Sequence, residues 1–347
     1  MNHVHYMQRC LQLARFGQAR VAPNPMVGAL LVFNDQIIGE GWHGYYGGPH
    51  AEVLAVQSVA EANQHLIPSS TLYVSLEPCN HHGKTPPCTD LILRERIPQV
   101  VIATMDPFSA VHGTGIQRLK QAGVNVIVGV LETEAQALNR FFWTAITKKR
   151  PFITLKWAET VDGYMGNPNA SRLMISGALA LQEVHQWRSE HQAILVGAQT
   201  ACWDDPQLTN RVFPGRQPIR LLLDPNGRVP ASAKMFQSDA RTVVFSRQVL
   251  AHAETIVVSA TATWSWIEAV LQWCQRAGVQ SVLVEGGAAT IQHFLASGYW
   301  DEIRVLGSST VQVGEGLLAP TLPEAATRSH ALTLGTDRIH YFRNKYA

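Results

Sequence analysis

His50-Ala51-Glu52, then the run Thr71-Leu72-Tyr73-Val74-Ser75-Leu76, then Glu77-Pro78-Cys79 and finally Pro87-Cys88 form the stretch on which this chain turns. One imidazole and two thiols offer three soft or borderline ligands. Three protein ligands leave the fourth position of a tetrahedral zinc site open to water. Glu52 stands close to His50, where it can move protons rather than bind metal. Each piece alone is weak, since a lone cysteine is most often a small buried hydrophobe. Together the three chemistries arrive in order, with a proline before each cysteine. The residues after Glu52 and after Cys88 read as helix starts, and a helix N-terminus favours the metal-binding thiolate. The apolar run before Glu77 reads as a strand delivering Cys79 to the same edge.

At 347 residues the chain predicts two domains. A hydrophobic content of 46% with 16% charged residues permits sizeable cores. The formal net charge of +2 gives no support for a nucleic-acid or anionic-membrane partner. Cys79 and Cys88 are assigned to metal, while Cys10, Cys202 and Cys274 are scattered, so no disulfide framework is expected. Met1-Asn2-His3-Val4-His5 does not read as a signal peptide, and no apolar run approaches the ~20 residues that span a bilayer. The expected address is the cytoplasm and the expected partner a small molecule; a homo-oligomer is allowed.

Residues 6–18 read as a helix, and Val27-Gly28-Ala29-Leu30-Leu31-Val32 with Ile37-Ile38-Gly39-Glu40 as a hairpin. Strands at 100–104 and 124–128 flank a helix opened by Gly113, and one helix is expected over 131–147. Lys148-Lys149-Arg150-Pro151 reads as a charged linker between domains 1–147 and 151–347. The second half predicts strands at 152–156, 193–196, 219–224, 242–245 and 281–284, with helices at 177–189, at 264–277 and after Gly287. Alternating strands and helices imply α/β architecture with mostly parallel sheets. Gly113-x-Gly115 lacks a third glycine, so it is no dinucleotide fingerprint.

His-x-Glu followed by Pro-Cys and a second Cys is the signature of zinc-dependent base deaminases. Over residues 24–303 the chain resembles the bifunctional riboflavin-biosynthesis deaminase–reductases. The first half carries Asn24-Pro25-x-Val27-Gly28, Pro49-His50-Ala51-Glu52-Val53, Leu76-Glu77-Pro78-Cys79 and His81-His82-Gly83-Lys84-Thr85-Pro86-Pro87-Cys88. The second carries Leu155-Lys156, Asp162-Gly163, His185-x-x-Arg188, Ala193-Ile194-Leu195-Val196-Gly197, Asp204-Asp205-Pro206-x-Leu208-Thr209-x-Arg211 and Val284-Glu285-Gly286-Gly287. Order and spacing agree across both halves. Asn80 and Lys84 replace a usual Ser and Arg, Phe108 a usual Asn, and Leu173 a usual Trp; the match fades after Ile303.

The resemblance implies a cytidine-deaminase-like three-layer domain, then a dihydrofolate-reductase-like domain. It implies zinc on His50, Cys79 and Cys88, with Glu52 as proton shuttle, and NADPH in the second domain. The substrate would be a phosphoribosylamino-pyrimidine, deaminated on its ring and then reduced at its sugar. By motif, Ser171, Arg188, Leu208, Arg211 and Glu285 fall on substrate positions. Ala158, Leu173, Thr200, Asp204, Gly287, Ala288, Ala289, Thr290, Ile291, Gln292 and His293 fall on cofactor positions. His81, His82 and Lys84 either solvate their loop or bind substrate phosphate. Asp205 is either an acid or a helix cap. Ser246-Arg247, past a strand end, either binds the cofactor 2′-phosphate or forms a solvated loop. At Gly287, glycine would supply room for a pyrophosphate or a positive φ. Near-neutral charge argues against a nucleic-acid base as substrate. A purely structural zinc module would leave Glu52 without a purpose beside the metal.

Overall fold

The computed structural model describes residues 2–82, 86–108, 111–166, 173–237, 240–259 and 263–346. The chain divides into two compact units, Met1–Lys149 and Arg150–Ala347. In the first, β1 (Gly28–Phe33), β2 (Gln36–Trp42), β3 (Thr71–Val74), β4 (Gln99–Ile102) and β5 (Asn125–Val128) form a five-stranded sheet of order β2-β1-β3-β4-β5. β1 is antiparallel to both its neighbours, whereas β3, β4 and β5 run parallel. The side chains alternate between the two faces with the period of a strand. Leu31, Leu72, Val74, Val100 and Ile102 belong to one core cluster. Leu30, Val32, Tyr73 and Val101 belong to another.

Helices α2 (Ala51–Gln57), α3 (Cys88–Arg94) and α4 (Thr114–Gln121) contribute Ala55, Ile92 and Leu119 to the first cluster. Helices α1 (His3–Ala14) and α5 (Glu132–Leu138) contribute Met7, Leu13 and Ala135 to the second. The result is a three-layer sandwich. α1 begins earlier than the apolar spacing suggests, because the Asn2 side chain accepts from the His5 N–H and caps it. The single helix expected over 131–147 is two, α5 and α6 (Arg140–Lys148). Asn139 breaks it at φ −98° and ψ 25°. Its buried amide accepts from the Met26 N–H at 2.8 Å and donates to the Met26 carbonyl at 2.9 Å.

Among its described residues the second unit holds nine strands: β6 (Phe152–Glu159), β7 (Ala193–Gly197), β8 (Ile219–Leu223), β9 (Thr242–Ser246), β10 (Glu254–Val257), β11 (Ser281–Val284), β12 (Glu302–Ser308), β13 (Ala326–Leu334) and β14 (Asp337–Asn344). Their order is β10-β9-β8-β7-β11-β6-β12-β14-β13, and of these strands β14 alone runs opposite to the rest. Helices α7 (Ala178–Glu190), α8 (Ala198–Asp204), α9 (Thr263–Arg276) and α10 (Ala288–Ser297) cover the sheet. Ile153, Leu195, Val243 and Val284 join a cluster with Val270 and Phe294. Ile194, Val196 and Val244 join one with Ala201. α7 is started by Asp337 of β14, whose carboxylate accepts from the Gly177 N–H at 2.6 Å. Arg150, expected as a linker charge, is held within this unit. Its guanidinium donates twice to Asp301, at 2.6 and 2.8 Å.

Replacing Asn139 by Ala leaves both Met26 backbone groups without their partner. The first unit should lose about 1–3 kcal/mol, read as a lower denaturant midpoint. An unchanged midpoint would show that the helix break does not depend on this amide.

Candidate functional site

Three ends of regular structure meet at the first site. His50 is the cap of α2, in extended backbone at φ −74° and ψ 159°. Cys88 opens α3 behind Pro87. Cys79 follows β3, and its carbonyl accepts from the Thr89 N–H at 3.2 Å. His50 Nδ1 lies 3.2 Å from Cys88 Sγ and 3.5 Å from Cys79 Sγ. One ligand atom from each of the three residues falls within 4.8 Å of the others. The Cys88 thiol, outweighing the burial that opposes ionisation, holds the Cys79 thiol well below its ordinary pKa with help from His50. The same contact pushes Cys88 up. Ionising one sulfur therefore comes at the expense of the other, and a divalent cation is what would ionise both. The donor set is that of a zinc site with an open fourth position.

Glu52 is only 4% exposed. Burial raises its carboxyl pKa, opposed by the nearby His50. It lines a cavity of about 410 Å³ together with Asn24, His43, Asp106 and Phe142. The Asn139 break lets α6 bring Phe142 and Ile146 to this cavity. His43 Nδ1 donates to the Pro49 carbonyl at 2.9 Å, and Nε2 accepts from the Asn24 amide at 3.1 Å. His81 lines the cavity and His82 is exposed; Lys84 lies outside the described residues. Asp106 carries no expected role, yet burial lifts its carboxyl to about 6.

The second site forms at the carboxyl ends of parallel strands, where open α/β sheets bind ligands. Glu285 follows β11 and Lys156 lies within β6. Both line a cavity of about 370 Å³ with Ala158, Leu173, Thr200, Asp204 and Gly287. Arg188 of α7 donates to Glu285 through Nε at 2.9 Å and Nη2 at 2.7 Å, and Lys156 Nζ stands 3.8 Å away. Burial opposes the ionisation of Glu285, but Arg188 and Lys156 overcome it and hold its carboxyl at about 2. Arg188 also borders a cavity of about 250 Å³ with Asp205, Leu208, Arg211 and Lys234.

Some expectations are revised here. Gly287 caps α10 at φ −60° and ψ 169°, so it does not supply a positive φ. What it supplies is room: a Cβ there would lie 2.9 Å from Thr200 Oγ1, and one at Gly286 2.9 Å from Thr290 Cβ. This narrow glycine-lined approach to the helix start suits a pyrophosphate. Ile291 packs in the core, Gln292 and His293 are exposed, and none of Ala288, Ala289, Thr290, Ile291, Gln292 or His293 lines the larger cavity. Ser171 lies outside the described residues. Asp205 is the C-cap of α8, at φ 39° and ψ 56°, and its carboxylate accepts from the Lys234 N–H at 2.8 Å and pairs with Lys234 Nζ at 3.1 Å, so it serves as a cap rather than a free acid. Leu208 is buried at φ 54°. Arg247 donates to Asn226 at 2.6 Å and lies over Trp266. Trp203, half exposed at the rim of the larger cavity, escaped the sequence reading. Lys156 was legible as a lone charge inside an apolar strand.

Residues 1–104 match the family described as the cytidine and deoxycytidylate deaminase zinc-binding region, and residues 151–333 match the RibD C-terminal domain, which extends past Ile303. The riboflavin biosynthesis protein RibD of Aquifex aeolicus is 40% identical over 90% of this chain and 88% of its own. That of Escherichia coli is 33% identical over 88% and 87%. The crystal structure of a diaminohydroxyphosphoribosylaminopyrimidine deaminase/5-amino-6-(5-phosphoribosylamino)uracil reductase from Thermotoga maritima superposes with a TM-score of 0.90. It is 37% identical and covers 99% of this chain and 98% of its own. Acinetobacter baumannii RibD gives a TM-score of 0.87 at 30% identity, covering 98% of each chain. Among the described residues no helix is long and apolar enough to cross a membrane.

Asp106 gives a pH test. Its folded carboxyl sits near about 6, above the ~3.9 of an unfolded chain. The fold therefore favours the neutral form, and that contribution is lost as pH rises through the folded value. Asp106→Asn stays neutral and can still accept from the Phe108 N–H. Its stability relative to wild type should rise between about pH 4 and about pH 6 and level off above, in thermal melts across that range. A flat difference would place the carboxyl in the ordinary range.

Proposed function

The chain belongs to the RibD family of riboflavin-biosynthesis deaminase–reductases, and from that premise we propose which residues do the work and on what. The first unit deaminates a diaminohydroxyphosphoribosylaminopyrimidine. The second reduces the ribosyl group of 5-amino-6-(5-phosphoribosylamino)uracil to ribityl with NADPH. The observation that carries this reading is the meeting of His50, Cys79 and Cys88 beside the buried Glu52.

In the first unit His50, Cys79 and Cys88 would hold zinc, which when bound would supply an acidified water. Glu52 is the proton carrier: it would relay one proton from the water that adds to the ring carbon to the ring nitrogen, and a second from the newly added hydroxyl to the amino group, which leaves as ammonia when the C–N bond breaks. Burial raises its carboxyl pKa, which suits a group that must hold a proton as well as release it. The neutral His43 fixes the Asn24 amide toward the cavity, where it can hydrogen-bond the substrate.

In the second unit the protein positions two molecules for hydride transfer to the sugar. Ala158, Leu173, Thr200 and Asp204 bound the cofactor, and the backbone at Gly286 and Gly287 receives its pyrophosphate. Arg188, Leu208 and Arg211 border the substrate. Glu285, kept ionised by Arg188, and Lys156 present an anion and a cation side by side to its polar groups. Thiol ligands that must stay reduced support a cytoplasmic address, and the near-neutral charge supports a free pyrimidine over a nucleic acid.

Glu52→Ala should retain zinc and lose at least ~10²-fold in ammonia release, while still oxidising NADPH with deaminated substrate. Cys79→Ser, by contrast, should lose the metal itself, read by metal analysis. Ammonia release by Glu52→Ala at the wild-type rate would remove the proton shuttle.

Gly287→Val should weaken NADPH binding about 5- to 150-fold, the effect of ~1–3 kcal/mol of overpacking. Titration of the folded variant reads this directly, with its deamination unchanged. Wild-type affinity would move the cofactor elsewhere.

A further inference from the structure

Cys79 and Cys88 are nine residues apart, and hydrogen bonds tie the residues beside each of them to α4. Upstream of Cys79, the carboxylate of Glu77 is 3% exposed and lies over the first turn of α4. Its Oε1 accepts from the Gly115 and Ile116 N–H groups at 3.0 and 3.3 Å. Its Oε2 accepts from Gly113 and Asp106 at 2.9 and 3.3 Å. The Pro78 carbonyl sits so close over Gly115 that any Cβ there would collide with it.

Downstream of Cys79, Asn80 Oδ1 accepts from Arg118 Nη1 of α4 at 2.9 Å and from Thr89 Oγ1 at 3.0 Å. Thr89 is the residue after Cys88 and is fully buried. Arg118 also reaches Thr89 Oγ1 at 3.2 Å and Asp90 at 2.5 Å. The neighbour of each cysteine is therefore tied to the other and to one guanidinium.

We propose that α4 acts as a clamp setting the separation of the two sulfur ligands, with Asn80 as the positioning residue that joins them through Arg118. Asn80 is neither one of the three ligand residues nor among those lining the cavity, so its effect is on how firmly the metal is held. Hydrogen-bonded supports of metal ligands typically govern affinity by about 10–100-fold. The inference rests on the assignment of zinc to His50, Cys79 and Cys88.

The test is zinc release from the full chain to a chromogenic chelator, with cobalt-substituted absorption spectra to report ligand geometry. Asn80→Ala and Arg118→Ala should each release zinc about 10–100-fold faster with unchanged circular dichroism. The double variant should be no faster than the faster single one, because both break the same link. Asn80→Asp keeps the accepting oxygen and should restore the slow rate. Arg94→Ala on α3, which removes an exposed pair with Glu95, should behave as wild type.

Wild-type release and an unchanged cobalt spectrum in Asn80→Ala, alongside metal loss in Cys79→Ser, would overturn the clamp and leave the zinc assignment standing. Additive effects in the double variant would likewise overturn the shared link. If wild type and Cys79→Ser hold equally little zinc, the assignment falls and the clamp with it. Should Asn80→Ala fail to fold, the surface variant Arg118→Ala decides the matter alone.

Discussion

Two thiols and an imidazole packed together away from water are poor neighbours until something takes their protons. Burial opposes charge on each sulfur, and ionising one makes the second harder to ionise. The first unit nevertheless holds all three within hydrogen-bond reach. Much of its architecture bears on that outcome. β3 leads to Cys79, α2 and α3 start at His50 and Cys88, and Glu77 fixes the intervening backbone to α4. The cluster is tolerable in the presence of a dication and costly without one, so fold stability and metal binding are linked.

The second unit solves a related problem with protein charges alone. Glu285 is buried, and its ionised form survives because Arg188 grips it with two hydrogen bonds and Lys156 stands nearby. Removing any one member leaves the others exposed to the desolvation cost that the trio shares. The three come from α7, β6 and the end of β11, far apart in sequence. They meet because β11 lies between β7 and β6 in the sheet.

Chemistry-bearing residues were more legible than the shapes that hold them. The metal ligands are betrayed by rare residue types in fixed order, and strands such as β4 and β7 by continuous apolar runs. β13 was hidden because it is exposed along most of its length and Arg328, Ser329 and Thr333 interrupt its apolar residues. The break at Asn139 was hidden because the apolar spacing continues through it; only the distant Met26 backbone shows why the helix stops. Of the two uses expected of Gly287, room and a positive φ, only room is found, since space rather than backbone angle is scarce there. Lys156 stood in plain view, but a single buried charge carries no meaning until its carboxylate partner is found across the sheet.

The bond from Asp337 to the start of α7 has a bearing on biogenesis. α7 carries Arg188, so the guanidinium that grips Glu285 rides on a helix whose first turn is tied to β14. During synthesis, the three metal ligands have all left the ribosome once Cys88 has emerged, and the first sheet is complete at β5. The second sheet is a different case, because β14 lies inside it, between β12 and β13. Domains made early in translation generally fold first. A nascent chain of this protein would therefore assemble its deaminating half while its reducing half still waited for β14. Premature termination within the final hairpin would yield a molecule with one working chemistry rather than two.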